Sequence, residues 1–164
     1  MRTVAVYAGS FNPFHVGHLN IVKKAKVLFD GVIVAQGFNP EKSQPSLFMS
    51  DVIFKRCTGC DLMSYEGYLH KFLNKIEKEW IDVTTVLVRG LRNATDFAYE
   101  ENQLKFIREF KPDIKVVYIP CDPEFNHISS SAIRSMNLIE KGSGNRYIYD
   151  TEEYYTYQIA KKAE

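Results

Sequence analysis

The sequence predicts an α/β fold built on a doubly wound, parallel five-stranded sheet. Three observations carry this expectation. Short β-branched or aromatic runs alternate with longer stretches whose apolar residues recur every three or four positions. No linker or internal repeat divides the chain. Its 164 residues suit one core, since single domains commonly hold about 100–200 residues. The whole span 1–164 is therefore expected to be one domain. Strand–helix alternation implies parallel neighbours joined by right-handed crossovers.

Thr3–Ala8 (TVAVYA) is the first strand candidate. Gly17–Phe29 places Leu19, Val22, Ala25, Leu28 and Phe29 on one helical face. Val32–Ala35 is a second strand, and 38–49, with Asn39, Pro40 and Pro45, reads as a loop. A short helix over Asp51–Thr58 and a strand over Leu62–Tyr65 follow. Gly67–Trp80 spaces Tyr68, Phe72, Ile76 and Trp80 by four, a helix. Thr84–Val88 is the fourth strand, Asp96–Phe110 a helix, Val116–Ile119 the fifth strand and Ser130–Lys141 a helix stopped by Gly142. Asp150 and Glu153 match a capping box for a last helix from about 150, with Lys161 and Lys162 complementing its dipole. Its tyrosines suit a packed or subunit-facing helix.

Composition narrows the partners. Hydrophobic residues make up 45% and charged residues 25%, which excludes a disordered chain, a collagen or a coiled-coil rod. Twenty-one Lys and Arg against 20 Asp and Glu leave a net charge of +1, no global field for nucleic acid or an anionic membrane. Residues Thr3–Val22 carry no charge and reach membrane-spanning length, but Gly9, Asn12, Pro13, His15 and His18 interrupt them. The N-terminus lacks a signal-peptide layout, and three cysteines, an odd count, point to a reducing cytoplasm. Cys57-Thr58-Gly59-Cys60 is a lone CxxC: a redox pair, half a metal site, or coincidence.

In such a fold ligands sit at the carboxyl ends of the strands, near the reversal of strand order. Three motifs lie there. The first strand runs into Gly9-Ser10-Phe11-Asn12-Pro13-Phe14-His15-Val16-Gly17-His18. This is neither a Walker loop nor a dinucleotide fingerprint. It puts two histidines on one face of a first helical turn, where free N–H groups attract anions; solvated loop histidines are the plain alternative. The fourth strand leads into Arg89-Gly90-Leu91-Arg92, two guanidinium forks suited to phosphate or, equally, to pairing with Asp96 or Glu100. After the fifth strand, Ile128-Ser129-Ser130-Ser131 opens a helix, as an anion cradle or as ordinary capping. Lys42, after the second strand, is a third cation of interest or a solvated loop lysine.

The stretch from Gly9 to His18 resembles the nucleotidyltransferase superfamily with the HxGH motif, whose members join a nucleotide to a phosphate-bearing small molecule and release pyrophosphate. The longer string Arg89–Arg92 with Asp96-Phe97-Ala98-Tyr99-Glu100 resembles the signature of the pantetheine-phosphate adenylyltransferases. The resemblance covers Val4–Lys42 and Thr84–Glu140, and is weak between Ser43 and Val83. Ala8, Asn12 and His15 depart from the usual proline, aspartate and threonine; His15 is the form commoner in nicotinamide-mononucleotide and glycerol-phosphate relatives.

The resemblance implies a Rossmann-like nucleotidyltransferase fold and transfer of the adenylyl group of ATP to 4′-phosphopantetheine, giving dephospho-coenzyme A. It implies His18 and Lys42 as catalytic, with His18 on the α-phosphate and Lys42 bridging the reacting phosphates. Ser10, Lys42, Tyr68, Leu69 and Arg89 would contact the acceptor. ATP would meet Ser10, Phe11, His15, His18, Gly90, Leu91, Arg92, Glu100, Phe125, Asn126, His127, Ile128, Ser129, Ser130 and Ser131. It further implies Mg²⁺, although no carboxylate cluster in the sequence resembles a dedicated metal cage, and a cytoplasmic homo-hexamer. Two other readings stand beside it: a nicotinamide-mononucleotide adenylyltransferase using the same ATP site, and an inactive nucleotide-binding assembly protein.

Overall fold

The strand Arg2–Gly9 (β1) runs through the middle of the molecule in a computed structural model that describes residues 1–38 and 47–149. On one side of β1 stand β2 (Gly31–Phe38) and β3 (Asp61–Glu66); on the other, β4 (Val83–Leu91) and β5 (Lys115–Pro120). The order is β3-β2-β1-β4-β5, and every pairing is parallel. The expected five-stranded, doubly wound sheet is thus present. The chain winds outward from β1 in one direction through β3 and then in the other through β5. The strand order therefore reverses between β1 and β4, and a crevice opens there beyond their carboxyl ends.

Alternation along β1 decides what covers each face. Ala5 and Tyr7 point to a core shared with Leu19, Val22 and Ala25 of α1 (Val16–Leu28) and Phe54 of α2 (Asp51–Thr58). Val4, Val6 and Ala8 point to a second core with Phe72, Leu73 and Ile76 of α3 (Leu69–Glu79) and Leu104 of α4 (Ala94–Phe110). β1 and β2 are buried on both faces, which is why they read as continuous apolar runs rather than alternating ones.

Element ends differ from the pattern-based expectation where backbone chemistry outweighs hydrophobicity. β4 continues through Arg89, Gly90 and Leu91, because these residues pair in register with Tyr118, Ile119 and Pro120; a ladder needs peptide groups, not apolar side chains. α3 begins at Leu69 rather than Gly67, since Gly67 has φ +75° and Tyr68 is the extended cap residue. α5 covers Ser130–Ile139, two residues short of Lys141, because Glu140 is already extended. Two short 3₁₀ turns, Pro123–Phe125 and Asn145–Tyr147, were not anticipated. The expected helix from about 150 lies outside the described residues.

Candidate active site

The two histidines close on each other's backbone. His15 is the N-cap of α1, and its Nδ1 accepts from the backbone N–H groups of Gly17 (3.1 Å) and His18 (3.4 Å). His18 Nδ1 in turn accepts from the N–H of His15 at 3.1 Å. This is the reciprocal geometry of a capping box, made here from two imidazoles. Both Nδ1 atoms are acceptors, so each neutral ring carries its proton on Nε2. The rings stack at 3.6 Å. Burial, reinforced by the nearby Arg92 charge, lowers the pKa of His15 to about 4. Burial first, then His15 and Arg92, holds His18 well below the ordinary histidine range. Both are therefore neutral donors at pH 7. The alternative of solvated loop histidines fails, because His15 is only 4% exposed.

The turn that delivers them is packed as a core. Phe11 adopts φ +46°, a backbone region that a bulky residue rarely occupies. Its ring is buried against Tyr7, Phe14 and His18, at centroid separations of 5.3, 5.3 and 5.0 Å. A side chain at Gly9 would meet that ring at 3.1 Å, so glycine makes room for it. α5 and the chain beyond it hold the turn from outside. Ser130 Oγ donates to the carbonyl of Pro13 (2.9 Å), Arg134 to that of Asn12 (2.5 Å), and the Tyr149 N–H to that of Phe14 (3.0 Å).

Across the crevice stand the arginines. Arg89 donates to the carbonyl of Ala8 (3.1 Å) and pairs with Glu100 of α4 (3.1 Å). Arg92 forms a bidentate pair with Asp96, Nε at 2.9 Å and NH2 at 3.0 Å, and its backbone N–H donates to the same carboxylate. The ion-pairing alternative thus describes both arginines, yet both also line the crevice. Gly90 between them allows helix and strand to approach: a Cβ there would lie 2.9 Å from Ile21 Cγ1. The third wall is the start of α5, where Ser129 caps the helix by accepting from the Ala132 N–H at 3.1 Å. The loop before it is fastened to α1 by Asn20 and Asp122, which exchange two hydrogen bonds, and by Lys24 on Asp122 at 2.6 Å.

These walls enclose a cleft of about 600 Å³. It brings together Ser10, Phe11, His15 and His18; Arg89, Gly90, Leu91, Arg92 and Glu100; and Phe125 with Ile128, Ser129, Ser130 and Ser131. Asn126 and His127 are exposed and do not line it. Tyr68 and Leu69 also lie apart from it. Tyr68 stacks on His70 and Phe110, and Leu69 packs on the core beneath α3 and α4. Lys42 lies outside the described residues. Sequence reasoning did not single out Tyr7, Asp96 or Arg134 as cleft residues, although all three line it. Only Asp96, four residues after Arg92, left a signal, as the partner weighed for it.

The cleft carboxylates Asp96 and Glu100 already face arginines. Among the described residues no three His, Cys, Asp or Glu side chains come together as a metal site. The described residues thus form no preformed cage of three such ligands, whereas Mg²⁺ commonly takes one or two carboxylates beside substrate phosphates. The CxxC has a structural account: Gly59, at φ +73°, ends α2, and Thr58 Oγ donates to Phe54 and accepts from the Cys60 N–H. Cys57 is exposed and Cys60 buried, both as free thiols. Among the described residues no helix is long and apolar enough to cross a membrane.

A family model described as cytidylyltransferase-like matches residues 6–136. The phosphopantetheine adenylyltransferase of Mycoplasma capricolum is 36% identical over 143 residues, covering 84% of this chain and 99% of the relative. The chain belongs to the phosphopantetheine adenylyltransferases of the cytidylyltransferase-like family. The corresponding adenylyltransferase of Mycoplasma mycoides is 37% identical over 143 residues, covering 86% of this chain and all of the relative. A nicotinic acid mononucleotide adenylyltransferase of Plasmodium falciparum, solved with NaAD, superposes with a TM-score of 0.61 at 16% identity, covering 98% of this chain and 96% of that one. At that identity the likeness speaks for the fold that these adenylyltransferases share.

Proposed function

We propose that the chain transfers the adenylyl group of ATP to 4′-phosphopantetheine, giving dephospho-coenzyme A and pyrophosphate. The observation that carries this reading is the cleft between β1 and β4, where neutral histidine donors face Arg89 and Arg92 across a space of about 600 Å³. A phosphate oxygen of the acceptor attacks the α-phosphorus of ATP. The bond from that phosphorus to the bridging oxygen breaks, and pyrophosphate leaves. The attacking group is already an anion, so no general base or covalent enzyme intermediate is needed. The protein positions the two phosphates and meets the charge that spreads over the phosphoryl oxygens.

On this reading His18 donates from Nε2–H to the reacting phosphate without carrying a charge. Ser10, at the end of β1, orients the acceptor. Arg89 binds the acceptor phosphate and Arg92 the phosphates of ATP, each exchanging its carboxylate partner for substrate. The N-terminus of α5, with Ser129 to Ser131, holds the outer phosphates. Lys42, which follows β2 in the sequence, is proposed to bridge the two phosphates, and Tyr68 and Leu69 to meet the pantetheine arm. Asn126 and His127 belong to the ATP side of the proposal. Mg²⁺ is proposed to arrive with ATP, held by phosphate oxygens. The cytoplasm and a homo-hexamer complete the reading, the latter checked by sedimentation.

Pyrophosphate release, assayed separately with 4′-phosphopantetheine and nicotinamide mononucleotide as acceptors, tests the proposal. Release with the pantetheine acceptor alone is expected. Release only with the mononucleotide, which His15 would suit, replaces the acceptor. ATP binding with no release for any acceptor leaves the inactive assembly protein.

A further inference from the structure

β2 carries one polar side chain in the middle of a buried surface. Gln36 is 0% exposed, in register beside Gly9 of β1 and Ser64 of β3. It shares the face of Val32 and Val34, where the rest of the lining is aromatic and aliphatic. A buried amide is tolerated only when its groups are paired. Here both ends are used. Nε2 donates to the carbonyl oxygen of Ser10 at 3.0 Å, and Oε1 accepts from the backbone N–H of Phe48 at 3.0 Å. One side chain therefore joins the chain leaving β1 to the chain entering α2.

Beyond Phe48 the connection continues through rings. Phe48 stacks on Phe14 at 4.6 Å with an interplanar angle of 6°, and Phe14 and Phe11 lie 5.2 and 5.0 Å from the His18 ring. Ser10 itself is exposed at the cleft. Among the described residues no side chain of β2 lines the cleft, so Gln36 acts on it through Ser10 and Phe48.

We propose that Gln36 is a positioning residue, an amide staple that fixes the Ser10–Phe14 turn against Phe48 and so sets where Ser10 and His18 stand toward substrate. Its catalytic consequence rests on the adenylyl-transfer reading above; its structural consequence does not. Gln36→Leu removes both bonds at similar volume and leaves a carbonyl and an N–H unpaired. Such a shift of the turn is expected to lower kcat about tenfold to a hundredfold. ATP affinity, carried mainly by Arg92 and α5, should stay within about twofold of wild type.

The test combines kcat, ATP dissociation constant and hydrogen exchange of the peptide spanning Ser10–Phe14 in the full chain. Support is a fall in kcat at a temperature well below the melt, ATP binding retained, and faster exchange confined to that peptide. A folded Gln36→Leu with wild-type kcat and wild-type exchange overturns the proposal, and so does one with reduced melting temperature alone. Gln36→Met, unbranched like glutamine, carries the same comparison if the leucine variant does not fold. Exchange in the wild-type chain gives an arm independent of both: a Ser10–Phe14 turn that exchanges as freely as an open loop sinks the staple. If wild type releases no pyrophosphate with any acceptor, the functional reading fails while the exchange arm still decides the role of Gln36.

Discussion

The two sides of the cleft are built on opposite principles. The histidine side is fixed by the protein's own hydrogen bonds. His15 is buried and His18 partly so; both are neutral and bonded to each other's backbone, and the turn before them is packed as a core. The arginine side rests on ion pairs: Arg89, largely buried, is held by Glu100, and the more exposed Arg92 by Asp96. Fixed neutral donors stabilise charge that appears only during reaction without first having to reorganise. Cations on exchangeable carboxylates bind anions that come and go. The division suits an enzyme that must hold two polyanionic substrates and yet release pyrophosphate.

The comparison breaks first at His18. His18→Ala is expected to lower kcat by about 10²–10³ while the far-ultraviolet spectrum stays native, since it removes one preorganised donor. Near-normal turnover would move the chemistry to the arginine side. The next effect concerns pH. The folded-state pKa of His15 is depressed to about 4 from an ordinary 6.5, and that of His18 is lowered in the same direction. Stability from these rings is full above pH 6.5 and is lost as pH falls toward 4, where the unfolded chain binds protons the fold refuses. His15 alone accounts for about 3 kcal/mol at most over that window. Urea melts between pH 7 and 4 should show this slope, and His15→Asn, which keeps a capping side chain, should flatten it.

Gly90→Ala sharpens the comparison from between the arginines. The added carbon would press on Ile21 at 2.9 Å, so α1 or β4 must shift, at about 1–3 kcal/mol by thermal or urea melt. Smallest is Asp96→Asn. Removing the carboxylate that occupies the Arg92 fork should tighten ATP binding by up to about fivefold, the worth of an exposed ion pair. Weaker binding in a titration would mean that Asp96 orients Arg92 rather than competing for it.

Much of this was legible without coordinates. The five strands, their alternation with helices and the three motifs all follow from periodicity and from turn and cap residues. The resemblance added roles that spacing alone could not assign. What stayed hidden depends on contacts between residues distant in sequence. Gln36 looks like an ordinary polar end to a strand until Ser10 and Phe48 are seen on either side of it. Lys111 looks like a surface lysine, yet it is buried on Asn74 and Glu77, while Glu77 also holds Thr85. The ends of β4 and α3 differ from the hydrophobic pattern because pairing register and a positive φ leave no trace in it. The histidine spacing suggested a shared face, but not that each ring would cap the other's backbone.

That mutual cap makes the reactive pair also the first turn of a helix. A residue exchanged at position 15 or 18 is judged twice, by the anion it must greet and by the amide it must satisfy. Loss of activity there is therefore ambiguous on its own, and the informative variants are those that keep one partner content while depriving the other. An asparagine at 15 can still serve the helix with no imidazole beside His18; a glutamine at 18 offers an amide proton with no ring to stack. Their difference would separate the architecture of the turn from its chemistry.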